Sequence, residues 1–265
     1  MTQTEWENEM CVKILKLIQN ELYIDFRYLD VAVSALTLTP NETLRSTATD
    51  GISLFFPPEQ ILRVFRSNPL FLNRAVLHSV FHCIFRHLWI RGNRDPHLWN
   101  LSCDITVEWI IDSFEKKSVK RALSGIRTTI YNDFHQYNIP VTAANIYKYL
   151  LPDVADNPER LNQLTMEFFT DDHRFWPKDP SASPSAAKSG QSWEKISRRM
   201  EQELNLHGDD SASGVNAMKT QIKEGKSRRS YKDFLRKFTV LQEELHCDYD
   251  EFDLNYYSYG LRLYK

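Results

Sequence analysis

The stretch 75–112, AVLHSVFHCIFRHLWIRGNRDPHLWNLSCDITVEWIID, constrains the fold of this chain more than any other part of it. Its spacing predicts two helices joined by a turn near 91–95. Gly92 stops the first helix there, and Asp95-Pro96 supplies the N-cap and first position of the second. His78 and His82 stand four apart on the first helix, with His87 beyond them; Asp104 and Glu108 stand four apart on the second. Residues at that interval share a helical face, about 40° apart and roughly 6 Å along the axis. Counting from the turn at about 1.5 Å per residue, an antiparallel pair sets His82 level with Asp104 and His78 level with Glu108. His87 falls about 140° round from His82 and is the weaker ligand candidate.

Two imidazoles in this relation can reach one metal ion together, which is why zinc peptidases place His at i and i+4. His78 and His82 are therefore candidate ligands, and Asp104 and Glu108 stand level with them as candidate carboxylates. The competing account is a buried polar network in which each imidazole is satisfied by a backbone carbonyl. The surroundings (Val76, Leu77, Val80, Phe81, Ile84, Phe85) make isolated polar groups costly in either case.

In the H-E-x-x-H arrangement, the residue after the first His is a Glu that deprotonates metal-bound water. Here that position is Ser79. A hydroxyl is no proton acceptor near neutral pH, and no G-x-S-x-G turn makes Ser79 a nucleophile. Ser79 thus stands as a catalytic candidate only by position, and Glu108, His87 and His173 are the available substitute bases. The 171–177 stretch, DDHRFWP, reads as a surface loop able to support the site or stabilise an oxyanion, or as a solvated turn with a buried Trp.

The rest of the chain reads as a helix-dominated α+β protein. A long amphipathic segment spans 5–36, a turn 46–51, and the best strand 52–56, closed by Pro57-Pro58. Helices follow at 58–67 and from about 70, and Thr142 caps another short one. Residues 178–192, rich in Ser, Ala and Pro at their start, read as a flexible linker or disordered loop between a domain at 1–177 and a helical segment at 193–265. Ser230 caps a further helix, and an aromatic-rich tail ends within an apolar stretch, which suggests a following domain. A basic cluster at Lys223, Lys226, Arg228 and Arg229 reads as a solvated face.

A net charge of −2 over 265 residues gives no global basic field for nucleic acid. There is no apolar run of membrane-spanning length, and the N-terminus lacks a signal peptide's order of basic then apolar residues. Four scattered Cys without a Cys-x-x-Cys suggest reduced thiols and a cytoplasmic location.

Four places in order resemble the N-terminal metallopeptidase domain of the VWA-like bacterial proteins found beside MoxR-type AAA+ ATPases. Thr49-Asp50-Gly51 is similar to that family's A-T-D-G turn, and His78-x-x-x-His82-x-x-x-x-His87 to its H-E-x-x-H-x-x-x-x-H helix. Leu98-Trp99-Asn100-Leu101-Ser102-Cys103-Asp104 is similar to its L-W-N-x-A-x-D helix. Asp171-Asp172-His173-x-x-Trp176 and the tyrosine-rich tail are similar to a subgroup. The resemblance implies a zincin-like fold with a small sheet and a metal-binding helix hairpin, with His78, His82 and Asp104 as ligands and water or Glu108 completing four-coordination around Zn²⁺. The 52–56 strand would then be the edge beside the cleft, open to an added peptide strand. It also implies a peptide or protein substrate with Zn²⁺ as cofactor, or alternatively a pseudoenzyme module presenting partners to a MoxR-type AAA+ ATPase.

Overall fold

The structure, a computed structural model, describes residues 2–179, 183–207 and 213–225. The helix expected after Ser230, most of the basic cluster, Cys247 and the aromatic tail lie outside these residues. The chain begins with helix α1 (Gln3–Asp25), fixed at its start by a reciprocal box in which Thr2 Oγ1 accepts from Glu5 N and Glu5 Oε2 accepts from Thr2 N. A short helix α2 (Asp30–Val33) leads into strands β1 (Thr37–Pro40), β2 (Thr47–Thr49) and β3 (Ser53–Phe56). Helices α3 (Pro58–Ser67) and α4 (Pro69–Ile84) follow, then α5 (Pro96–Asp112), α6 (Gly125–Gln136), α7 (Ala143–Leu150), α8 (Asp153–Asp156) and α9 (Pro158–Phe168). Strand β4 (Asp171–Asp172) precedes α10 (Pro184–His207) and α11 (Ser213–Gly225). The result is a mostly helical α+β fold with a small mixed sheet.

Helix α4 is the hub. Every side chain from Leu72 to Ile84 on it is buried, so it has no solvent face. It is sheathed by α1, α2, α3, α5, α10 and the sheet. Sheathing explains why its sequence lacks an amphipathic stripe: a helix covered all round is apolar all round. Its polar exceptions, Asn73, Arg74, His78, Ser79 and His82, each have a partner, as burial demands.

The sheet runs β1-β3-β2-β4, with β3 parallel to β1 and antiparallel to β2, and β4 parallel to β2. The strand expected at the edge is therefore interior, and the edges are β1 and β4. Sequence pattern locates a strand but not its neighbours: here β1 and β2, both just upstream, flank β3 on its two sides. Residues 47–49, expected within a turn, form β2, and the turn shrinks to Asp50-Gly51. There Asp50 Oδ1 accepts from Ile52 N and Ser53 N, and Gly51 takes φ +85°.

The Ser/Ala/Pro-rich tract is also different from its expected form. From Pro184 onward it is helix α10, with Pro at the first turn and Ser183 Oγ accepting from Ala186 N. Trp193, Met200 and Leu204 of α10, and Val215, Met218 and Ile222 of α11, enter the same core as α1 and α4. The expected linker is the first turns of a helix anchored further on by Trp193, Met200 and Leu204, each worth about 1.5–3 kcal/mol of burial. Among the described residues no helix is long and apolar enough to cross a membrane.

Candidate metal centre

Helix α4 stops earlier than the glycine signal suggested. Arg86 takes φ +64°, its N–H donates to Cys83 O, and the helix ends at Ile84. The chain then loops to Asp95, which caps α5 by accepting from Leu98 N at 2.9 Å. Helices α4 and α5 pack antiparallel, so Arg74 meets Asp112, His78 meets Glu108 and His82 meets Asp104.

These meetings are not chemically equivalent. His82 Nε2 stands 3.2 Å and His78 Nε2 3.4 Å from the same Asp104 Oδ1, and the two Nε2 atoms are 2.8 Å apart. Glu108 lies on the other side of the His78 ring, with Oε1 2.9 Å from Nδ1. It is neither a ligand beside Asp104 nor a free base. Its Oε2 accepts from Arg74 Nη2 at 2.6 Å and Arg127 Nη1 at 2.7 Å. Burial alone would raise its carboxyl pKa, but Arg74, His78 and Arg127 hold it well below the usual range.

Two more donors come from beyond α9. Asp171 Oδ1 is 2.9 Å and Asp104 Oδ1 3.2 Å from His173 Nε2. Asp171 Oδ1 also lies 3.5 Å from His78 Nε2 and 3.8 Å from His82 Nε2. The stretch expected as a surface loop is thus turned inward: Asp171 is fully buried and the His173 side chain is 6% exposed. His173 stacks on Trp176 with centroids 3.8 Å apart. Asp171 was missed in the sequence, although its two-residue separation from His173 carried the signal, since alternate residues of an extended segment face one side.

His78, His82, Asp104, Asp171 and His173 each aim one ligand atom into a space where all five atoms lie within 4.8 Å of one another. With metal–ligand bonds of roughly 2.0–2.2 Å, donors around one ion stand about 2.9–3.6 Å apart, close to the distances seen. The donors face one another at ion-pair distance, but not as aligned hydrogen bonds. Asp104 Oδ1, Asp171 Oδ1 and His173 Nε2 are all buried without a hydrogen-bond partner. Buried charges paired this loosely and converging on one point fit a shared cation. Two carboxylates with three imidazoles suit a divalent first-row ion.

Protonation follows the same geometry. Burial opposes charge on His173, yet Asp104 and Asp171 outweigh it and hold the ring up at about 10. Burial also opposes charge on His78, and Asp171, Asp104 and Glu108 prevail to raise it. His82, where burial dominates, falls to about 4, and burial drives His87 well below its ordinary value.

The remaining candidates occupy supporting positions. Ser79 Oγ donates to Asp171 Oδ2 at 2.9 Å, so it orients a donor rather than facing a substrate. His87 points its Nδ1 at His82 Nδ1 from 3.0 Å, and its Nε2 is 3.1 Å from the Gln221 amide on α11. A metal on His82 Nε2 leaves the His82 proton on Nδ1, donated to His87 Nδ1; the His87 proton then sits on Nε2, with the Gln221 amide turned to offer its oxygen. Arg127 pairs with Glu108, Asp112 and Glu167, and Arg74 with Glu108 and Asp112, closing a buried ionic layer behind the site. Cys83 and Cys103 are buried free thiols whose pKa is raised by burial, and neither belongs to the five-donor cluster.

No protein-family description, curated protein or solved structure matches this chain.

Proposed function

We propose that this chain is a zincin-like metal-binding domain whose ion is held by His78, His82, Asp104, Asp171 and His173, and that it is not a working peptidase. The observation that carries the reading is the convergence of five donor atoms, three of them buried without an aligned hydrogen bond. Zn²⁺ is the ion expected from the His pair, and Fe²⁺ or Mn²⁺ also accept such a mixed nitrogen and oxygen set. A bound ion would supply electrostatic closure of the core and, where a coordination position is free, Lewis acidity.

Three features argue against hydrolysis. The position of the general base holds Ser79, whose hydroxyl is committed to Asp171. Glu108, the nearest substitute, is engaged by two arginines and His78. Catalytic zinc sites keep three protein ligands and an open position, whereas five side chains converge here. The role that remains is that of an interaction module, with a MoxR-type AAA+ ATPase as the partner suggested by the motifs.

Elemental analysis of protein purified without added metal tests the proposal. One divalent first-row ion per chain is expected, with loss of that ion in His82→Ala. Stoichiometry near zero after offering Zn²⁺, Fe²⁺ and Mn²⁺ in turn would overturn it, as would peptide hydrolysis by the wild-type chain that depends on the bound ion.

A further inference from the structure

The five donors come from two sources with different mechanical standing. His78, His82 and Asp104 sit on α4 and α5, two long helices buried along most of their length. Asp171 and His173 sit on β4 and the turn after it. That strand is two residues long and, among the described residues, pairs only with β2, through Thr47↔Asp171 and Ala48↔Asp172. Phe169 before it is half exposed, and Asp172 and Arg174 pair with each other at the surface.

Much of what holds this segment points at the centre itself. Ser79 Oγ donates to Asp171, Thr170 Oγ1 reaches Glu108 Oε1 at 3.4 Å, and His173 stacks on Trp176, whose ring lies 4.9 Å from that of His82. Away from the centre, the Phe175 ring packs on Phe55. Asp171 Oδ1 and His173 Nε2 are buried 2.9 Å apart without an aligned hydrogen bond. An ion at the centre gives both a partner, so it is the natural clasp of the segment.

We propose that residues 170–176 form an intramolecular closing arm. Its donors, Asp171 and His173, convert a three-ligand site on α4 and α5 into a saturated one, and a ligand from outside reaches the ion only when the arm lifts. With the arm away, two His and one carboxylate remain, a set that leaves coordination positions open. Lifting also uncovers the edge of β2, where β4 now pairs. The ligands admitted are small anions or neutral nitrogen donors able to take the place of the Asp171 carboxylate and the His173 imidazole. This inference rests on the metal-binding reading above.

Co²⁺ serves as a spectroscopic probe in the full chain. Wild type is expected to bind one Co²⁺ with visible bands unchanged by azide or imidazole. His173→Ala is expected to retain one Co²⁺ with affinity reduced at least about tenfold, the lower bound for loss of even an outer partner. Its bands should shift on adding imidazole, and imidazole should restore the affinity. Failure of wild type to bind Co²⁺ would overturn the metal reading. Wild-type binding with an azide shift as large as that of the variant would overturn the arm alone. So would complete loss of Co²⁺ from a folded His173→Ala. Hydrogen exchange of the wild-type chain covers a variant that fails to fold. Co²⁺ should slow exchange of the amides at 47–49 and 170–176 more than those of α1, and equal slowing would sink the arm.

Discussion

Glu108→Gln separates the two duties of the ionic layer behind the metal centre. Glu108 is buried and accepts from Arg74, Arg127 and His78 at 2.6, 2.7 and 2.9 Å. Gln keeps the shape and one acceptor oxygen but removes the charge that offsets two buried guanidinium groups. Breaking a buried ion pair from one side costs about 3–5 kcal/mol; retention of shape sets the expectation near the lower end, about 3 kcal/mol. The same change weakens the hydrogen bond that fixes the His78 ring with Nε2 towards the ion. Loss of such a carboxylate–histidine support costs roughly 10–100-fold in metal affinity, or about 1.4–2.8 kcal/mol. Asp112→Asn is the control. Asp112 accepts from the same Arg74 and Arg127, at 2.7 and 2.8 Å, and from Tyr131, but it does not touch His78. It should lower stability to a similar extent while changing metal affinity by no more than about twofold. Urea unfolding in chelator gives the first quantity and competition with a chromophoric chelator the second. Equal losses of metal affinity in the two variants would refute the assignment of Glu108 as the support of His78.

Metal affinity should fall as pH falls. In the metal-free chain His173 holds its proton up to about 10 and His78 is also raised, so an entering ion must expel at least one proton. Calorimetry in buffers of different ionisation enthalpy should show this release, and affinity that stays flat between about pH 7 and 9 would contradict it. Ser79→Glu, which restores the peptidase-like motif, should not create hydrolysis. The new carboxylate meets Asp171, with which the Ser79 hydroxyl now hydrogen-bonds, and the expected result is a stability loss of about 3–5 kcal/mol in thermal unfolding, with no peptide cleavage. Gly51→Ala should destabilise by more than about 1 kcal/mol, because φ is +85° and the added Cβ would stand 2.5 Å from Trp89 Cζ2; an unchanged melting temperature would be the contrary outcome.

Much of the centre was legible before any coordinates. The i, i+4 spacings of His78/His82 and Asp104/Glu108 and the Asp95-Pro96 start of α5 are local features, and helical geometry alone sets which residues share a face. The strand at 52–56 and the Thr142 cap are equally local: β3 runs Ser53–Phe56, and Thr142 Oγ1 accepts from Asn145 N. The roles of Glu108 and Ser79 were not legible. A carboxylate level with His78 is a ligand or a support depending on which ring nitrogen it faces, and that depends on side-chain rotation and on Arg74 and Arg127 behind it. Residues 47–49 and 184–192 were misjudged for a related reason. Polar, small-residue segments carry little intrinsic preference, so pairing with β3 and β4, or continuity with a helix anchored at Trp193, decides their state.

The chain by itself determined that a helix hairpin carries two imidazoles and two carboxylates in matched steps through apolar surroundings, because backbone periodicity and the cost of burying polar groups act within a few residues. Only the tertiary structure decided that Asp171 and His173 complete the cluster, that Glu108 turns away from it and that β3 lies inside the sheet. The contact of Ser79 with Asp171 joins residues 92 apart in sequence, and the orientation of each donor is set by neighbours whose positions no local rule supplies.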